Sequence, residues 1–169
     1  MVNICVYGAG AIGGYIGCCL SNAGANVSLI ARGPHKEAIN KNGVTLISNG
    51  KSENFNLKVT ENPKDLDTQD YIILGVKAHA IQNIATSLKP LMDDKTVVLS
   101  AVNGLPWWYF YKANSGTNLD NNHIETVDPK GLIWNTIDPK RALGCVVYPA
   151  CEIASPGAVS YTHLRAHET

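Results

Sequence analysis

An α/β fold, a doubly wound and mostly parallel sheet, is predicted by three features of the 169-residue sequence. The first is an apolar run from Val2 to Tyr7 that leads straight into Gly8-x-Gly10-x-x-Gly13 and then into a helical pattern. The second is the way short apolar strands alternate with helical stretches over the first hundred residues or so. The third is where Arg32, Lys77 and Asn103 fall: each stands just past the end of such a strand, the edge where open α/β sheets bind ligands.

The first strand, glycine loop and helix form a context far more specific than the glycines alone. Gly8 permits a tight turn, Gly10 keeps no side chain between the backbone and a pyrophosphate, and Gly13 lets the helix sit close on the sheet. Ile12, Ile16 and Leu20 are the expected core face of that helix, Gly14 and Gly17 extend its small-residue surface, and Gly24 is its stop. Its free N–H groups and positive end face the ligand's negative charge. The architecture is Rossmann-like.

Asn26 to Ile30 is the second parallel strand. An acid after it would bond the ribose hydroxyl of NAD, but the sequence runs Ala31-Arg32-Gly33. A guanidinium suits a 2′-phosphate, and His35 and Lys36 are further sources of positive charge, so NADP(H) is favoured over NAD. The alternative is a solvated arginine at a helix start. A short helix follows from Pro34 to Lys41, ended by Asn42-Gly43. Val44–Ser48 and Asn54–Val59 read as a hairpin around Asn49-Gly50, with a connection longer than the tightest turn. Phe55, Leu57 and Val59 alternate toward one face of it.

Asn62 to Asp65 is a turn, and Asp70 to Val76 a buried strand. Ile81, Ile84, Ala85 and Leu88 mark the next helix, stopped near Pro90. Lys77 is either a cofactor or carboxylate contact or a solvated helix-start lysine, and position alone does not separate the two. His79 is read as structural. Thr96 to Val102 is a strand. Asn103 after it can hold a carboxamide or a substrate oxygen, or simply form a turn before Gly104. The aromatic run Trp107 to Tyr111 reads as core or interface. Residues 114–128 are loop, Gly131 to Ile137 a short helix or turn, Ala142 to Tyr148 a strand, and Gly157 to Val159 the start of another.

Composition sets limits on function. With 14 basic and 14 acidic residues the net charge is zero, which argues against nucleic acid or an anionic membrane as partner. No apolar run is long enough to span a bilayer. The five cysteines form no C-x-x-C, which fits a reducing, cytoplasmic setting and no structural metal.

Several motifs then agree. Gly8-Ala9-Gly10-Ala11-Ile12-Gly13, Arg32, Val76-Lys77-Ala78, Asn103-Gly104, Gly144 to Ala150 and Pro156-Gly157-x-Val159 together resemble the ketopantoate reductase (2-dehydropantoate 2-reductase) family over nearly all of residues 1–159. The aromatic run and the insert to Asp128 look like a subgroup of it. The resemblance implies NADPH-dependent reduction of a 2-keto acid, 2-dehydropantoate, to pantoate, on the route to pantothenate and coenzyme A. It implies that Gly8, Ala9, Gly10, Ala11, Ile12 and Gly13 hold the pyrophosphate and Arg32 the 2′-phosphate. Lys77 would lie in the cofactor site, Asn103 would contact nicotinamide and substrate, and the backbone of Ala150 would contact cofactor. Family members carry a helical second domain with the proton-donating lysine, and the full-length protein could be a homodimer.

No such domain is present in these residues, so no catalytic residue is assigned here. Residues 1–159 are expected to be the NADP-binding domain. Residues 160–169 do not continue the expected strand and resemble a translated adapter tail on a truncated gene model, so His163 and His167 receive no role. Two further readings stand beside the reductase: a non-catalytic NADP(H)-binding sensor and a related hydroxyacid dehydrogenase.

Overall fold

A computed structural model describes residues 1–162. β1 (Asn3–Tyr7) leads to α1 (Ala11–Asn22), β2 (Asn26–Ile30), α2 (Gly33–Asn42), β3 (Val44–Ser48), β4 (Lys51–Phe55), β5 (Lys58–Thr60) and β6 (Tyr71–Leu74). From Ala78 to Leu91 the chain winds through 3₁₀ turns around the short α3 (Ile81–Ile84). Then come β7 (Val97–Ala101), α4 (Leu132–Thr136), β8 (Ala142–Cys145), β9 (Ala150–Ser155) and β10 (Ala158–Thr162).

Two sheets result. The larger has the order β5-β2-β1-β6-β7-β8, and every neighbouring pair is parallel. This is the α/β, Rossmann-like sheet that the sequence predicts. Side chains on β1 alternate between two cores, as a period of two requires. Ile4 and Val6 join the cluster of Cys18, Leu29, Ile39 and Leu57, while Cys5 and Tyr7 join that of Leu74, Leu88, Val98 and Trp107. The smaller sheet, order β4-β3-β10-β9, pairs β3 with β10 in parallel and the rest antiparallel. It covers the outer side of α1, where Tyr15 stacks on Tyr161 at 4.7 Å.

Several expectations need correction. The single strand Asn54–Val59 is two, β4 and β5, and they belong to different sheets. Asn49 and Gly50 make the tightest hairpin after all, both at positive φ, with Ser48 opposite Lys51. The strand after Ala142 stops at Cys145, and β9 follows where no strand was foreseen. β10 runs through Thr162, so residues 160–162 do continue the strand past the boundary placed at Val159. His163 and His167 lie outside the described residues. On α1 the buried stripe is Gly13, Gly14, Gly17 and Cys18, with Ile16 and Leu20 only partly buried beside it. Small residues win that face because α1 is squeezed between sheets: a Cβ on Gly17 would lie 2.9 Å from Leu29, and one on Gly14 2.8 Å from Val159.

The aromatic run divides. Trp107 is buried and its Nε1–H donates to the Ile137 carbonyl at 3.3 Å, whereas Tyr109 is exposed. Behind it, the fully buried Asp128 carboxylate accepts the N–H groups of Ile133 and Trp134 at 2.7 and 2.8 Å, capping α4. An amide can satisfy only one of these donors. Asp128→Asn is therefore expected to lower stability by about 1–2 kcal/mol in denaturant unfolding; an unchanged midpoint would show that the cap contributes nothing.

Candidate cofactor-binding site

At the carboxyl edge of the larger sheet lies a cleft of about 570 Å³, walled by the glycine loop, the residues after β2 and the start of the helical stretch after β6. A more open hollow of about 420 Å³ lies at the opposite edge, by Val2, Tyr71 and Val97. Sheets of this kind bind at the carboxyl edge, so the first cleft is the candidate.

The loop is shaped by backbone meeting backbone. Gly8 has φ +100°, a region that L side chains avoid, and both Gly8 and Ala9 donate their N–H groups to the Ile30 carbonyl at 3.1 and 3.0 Å. A Cβ on Gly13 would collide with the Gly8 carbonyl oxygen, whereas one on Gly10 would meet nothing within 4 Å. So Gly13 is required by packing, and Gly10 leaves open space toward the cleft. The sequence reading missed Gly75, whose Cβ would stand 2.6 Å from that same Gly8 oxygen.

The first helical bond of α1 runs from Gly14 to Gly10 at 2.7 Å. The N–H groups of Ala11, Ile12 and Gly13 therefore have no helical acceptor, no side chain caps them, and no acid stands in the first turn. A pyrophosphate fits this cradle: free donors, the positive end of a helix, and room above Gly10.

Arg32 precedes α2, lines the cleft and is exposed; its carbonyl accepts the Lys36 N–H at 3.5 Å, while its guanidinium has no hydrogen bond or ion pair among the described residues. Its two expected helpers are otherwise engaged. The Nζ of Lys36 pairs with Glu61 Oε2 at 3.1 Å. The Nδ1 of His35 accepts the Gly157 N–H at 3.1 Å, which leaves the proton on Nε2 and the ring neutral while that bond is kept. His35 Nε2 is buried and has no partner among the described residues.

Gly8, Ala9, Gly10 and Arg32 thus line one cleft, with Ala11, Ile12 and Gly13 forming the helix turn behind it. Lys77 is exposed on the rim between the lining residues Val76 and Ala80. Asn103 and Ala150 are not among the residues lining the cleft. The amide of Asn103 is clamped on Val147, donating to its carbonyl at 2.9 Å and accepting its N–H at 2.8 Å. One N–H and one lone pair remain for any other partner. The clamp is why β8 ends early: residue 147 hydrogen-bonds a side chain instead of continuing the ladder. Glu61 and Ile153 also line the cleft, and the sequence reading missed both. Elsewhere, burial pushes the Cys5 and Cys18 thiols up to about 12, so neither is a nucleophile.

Known proteins resemble the chain in sequence and in fold. The ketopantoate reductase PanE/ApbA family model matches residues 4–106. A 2-dehydropantoate 2-reductase of Mesorhizobium japonicum is 40% identical over 161 residues, which are 95% of this chain and 49% of that protein. The crystal structure of a candidate ketopantoate reductase from Ralstonia solanacearum MolK2 superimposes with a TM-score of 0.87 at 35% identity, over 96% of this chain and 50% of that one. A D-mandelate dehydrogenase, solved with NADH and anilino(oxo)acetate, shares the fold at a TM-score of 0.76 and 22% identity, over 96% of this chain and 46% of that one. The chain spans about half the length of each of these relatives.

Proposed function

The chain belongs to the ketopantoate reductase PanE/ApbA family of oxidoreductases, and from that premise we propose that it is the cofactor-binding half of an NADPH-dependent 2-keto-acid reductase. The substrate proposed is 2-dehydropantoate, reduced to pantoate for pantothenate and coenzyme A synthesis. The observation that carries the reading is the cleft itself. One end offers the unpaired N–H groups of Ala11, Ile12 and Gly13, and the other offers the Arg32 guanidinium, without a partner among the described residues, and no acid at the end of β2.

When bound, the nicotinamide supplies hydride to the carbonyl carbon of the keto acid. The residues of this chain hold and aim it. The α1 turn binds the pyrophosphate, and Arg32 binds the 2′-phosphate. Lys77 on the rim offers positive charge to a carboxylate. Asn103, held by Val147, presents its remaining N–H and lone pair toward nicotinamide and substrate, and Ala150 contributes backbone. A general acid must reach the keto oxygen, and this reading assigns that role to a lysine in the part of the longer relatives that the chain does not span.

Titration of nicotinamide fluorescence tests this reading. The folded chain is expected to bind NADPH about tenfold to a hundredfold more tightly than NADH, and to reduce 2-dehydropantoate only slowly. Failure to bind either nucleotide would falsify it, and rapid turnover would show that the proton donor lies within these residues.

A further inference from the structure

We infer that Glu61 sets the cofactor preference, acting against Arg32. This rests on the cofactor-binding reading above and goes past it to a residue that neither the glycine motif nor the end of β2 indicates.

Four observations meet at one end of the cleft. Glu61 immediately follows β5, the strand paired with β2, and the Ala31 N–H donates to the Thr60 carbonyl at 3.0 Å. Glu61 and Arg32 are therefore carried to the same edge by adjacent strands, and both line the cleft. Glu61 Oε2 holds Lys36, while its other carboxylate oxygen has no partner among the described residues. Finally, His35, bonded to Gly157, adds no charge in that state.

The local balance is two cations against one anion, with one of the cations tied to the anion. A ribose carrying a free 2′-hydroxyl finds an ionised acceptor in the spare oxygen of Glu61. A ribose carrying a 2′-phosphate finds Arg32, but it also meets the Glu61 charge, and Lys36 helps only by leaving Glu61. The pair thus lends an acceptor to the unphosphorylated cofactor and withholds a cation from the phosphorylated one. The chain discriminates less than its bare Arg32 alone would make it do.

Two nucleotide probes isolate this end of the cleft without any turnover: 2′,5′-ADP, which carries the 2′-phosphate, and 5′-AMP, which does not. Their dissociation constants are measured by calorimetry on the full 169-residue chain and on two variants, one at the exposed Glu61 and one at the half-buried Lys36. Glu61→Gln keeps the shape, removes the anion and frees Lys36. The preference for 2′,5′-ADP is expected to rise about tenfold. Lys36→Gln leaves Glu61 unpaired, and the preference is expected to fall below that of the unmodified chain. Circular dichroism checks that both variants fold. Ratios that stay put, or that move in the same direction in both variants, overturn the role of Glu61 while leaving the cofactor site intact. An unmodified, folded chain that binds neither probe overturns the cofactor site and this inference with it.

Discussion

Gly13→Ala is expected to destabilise the chain by about 3 kcal/mol and to abolish NADPH binding. The added methyl would overlap the Gly8 carbonyl oxygen and come within 3.0 Å of Val6 Cγ1. Most overpacked sites relax by turning a side chain. Here the nearest obstacle is backbone, fixed by the bonds from Gly8 and Ala9 to the Ile30 carbonyl. Relief requires α1 to lift from β1, which opens the buried stripe of Gly14, Gly17 and Cys18 and removes the α1 turn from the cleft. Denaturant unfolding and nucleotide titration read the two losses together. Gly10→Ala is the matched control. Its methyl would meet no protein atom, so stability should stay within about 1 kcal/mol while binding falls, because the methyl occupies the space proposed for pyrophosphate. If Gly10→Ala bound NADPH normally, the loop would not be the phosphate cradle.

Arg32→Ala is expected to weaken NADPH binding by about 1.5–3 kcal/mol, tenfold to a hundredfold, and to leave NADH nearly unchanged. The guanidinium is exposed and unpaired, so its loss costs the fold little and leaves no buried partner behind. The whole effect should therefore appear as a change in the ratio of the two affinities. At higher ionic strength the wild-type preference should shrink toward that of the variant, since the contact is exposed and screened. An NADPH/NADH ratio that did not move in the variant would remove Arg32 from the 2′-phosphate site.

The parts of this molecule that could be read from its sequence are those written in local chemistry. The glycine loop, the arginine after β2 and the face of Ile81, Ala85 and Leu88 each lie within a dozen residues of the element that explains them. Other features depend on residues that meet only in three dimensions. Leu57 is buried between β4 and β5 and carries the alternation of Phe55 and Val59 across the gap, so two strands in separate sheets read as one. That merger also hid Glu61, which becomes conspicuous only once β5 is seen beside β2. β9 is largely exposed along its length and so carries little hydrophobic alternation. The grip of Asn103 on Val147 joins positions 44 residues apart, and an Asn before a Gly gives no local sign of it. Lys36 showed its charge in the sequence, but not the carboxylate that holds it.

The smaller sheet also bears on how the molecule is made. β10 pairs in parallel with β3, joining positions 113 apart in the sequence, such as Thr45 and Ala158. At ordinary synthesis speeds of about 5–20 residues per second, roughly 6 to 23 s separate the emergence of the two strands from a ribosome. During that interval α1, which carries no charged residue, can already lie on β1 and β2, yet the side that β10 will cover is bare. Closure of the smaller sheet is thus a late step in folding, governed by long-range pairing rather than by local propensity. A nascent chain halted before Ala158 presents Tyr15 and the small-residue flank of α1 to solvent, which makes that stage the one most in need of a chaperone.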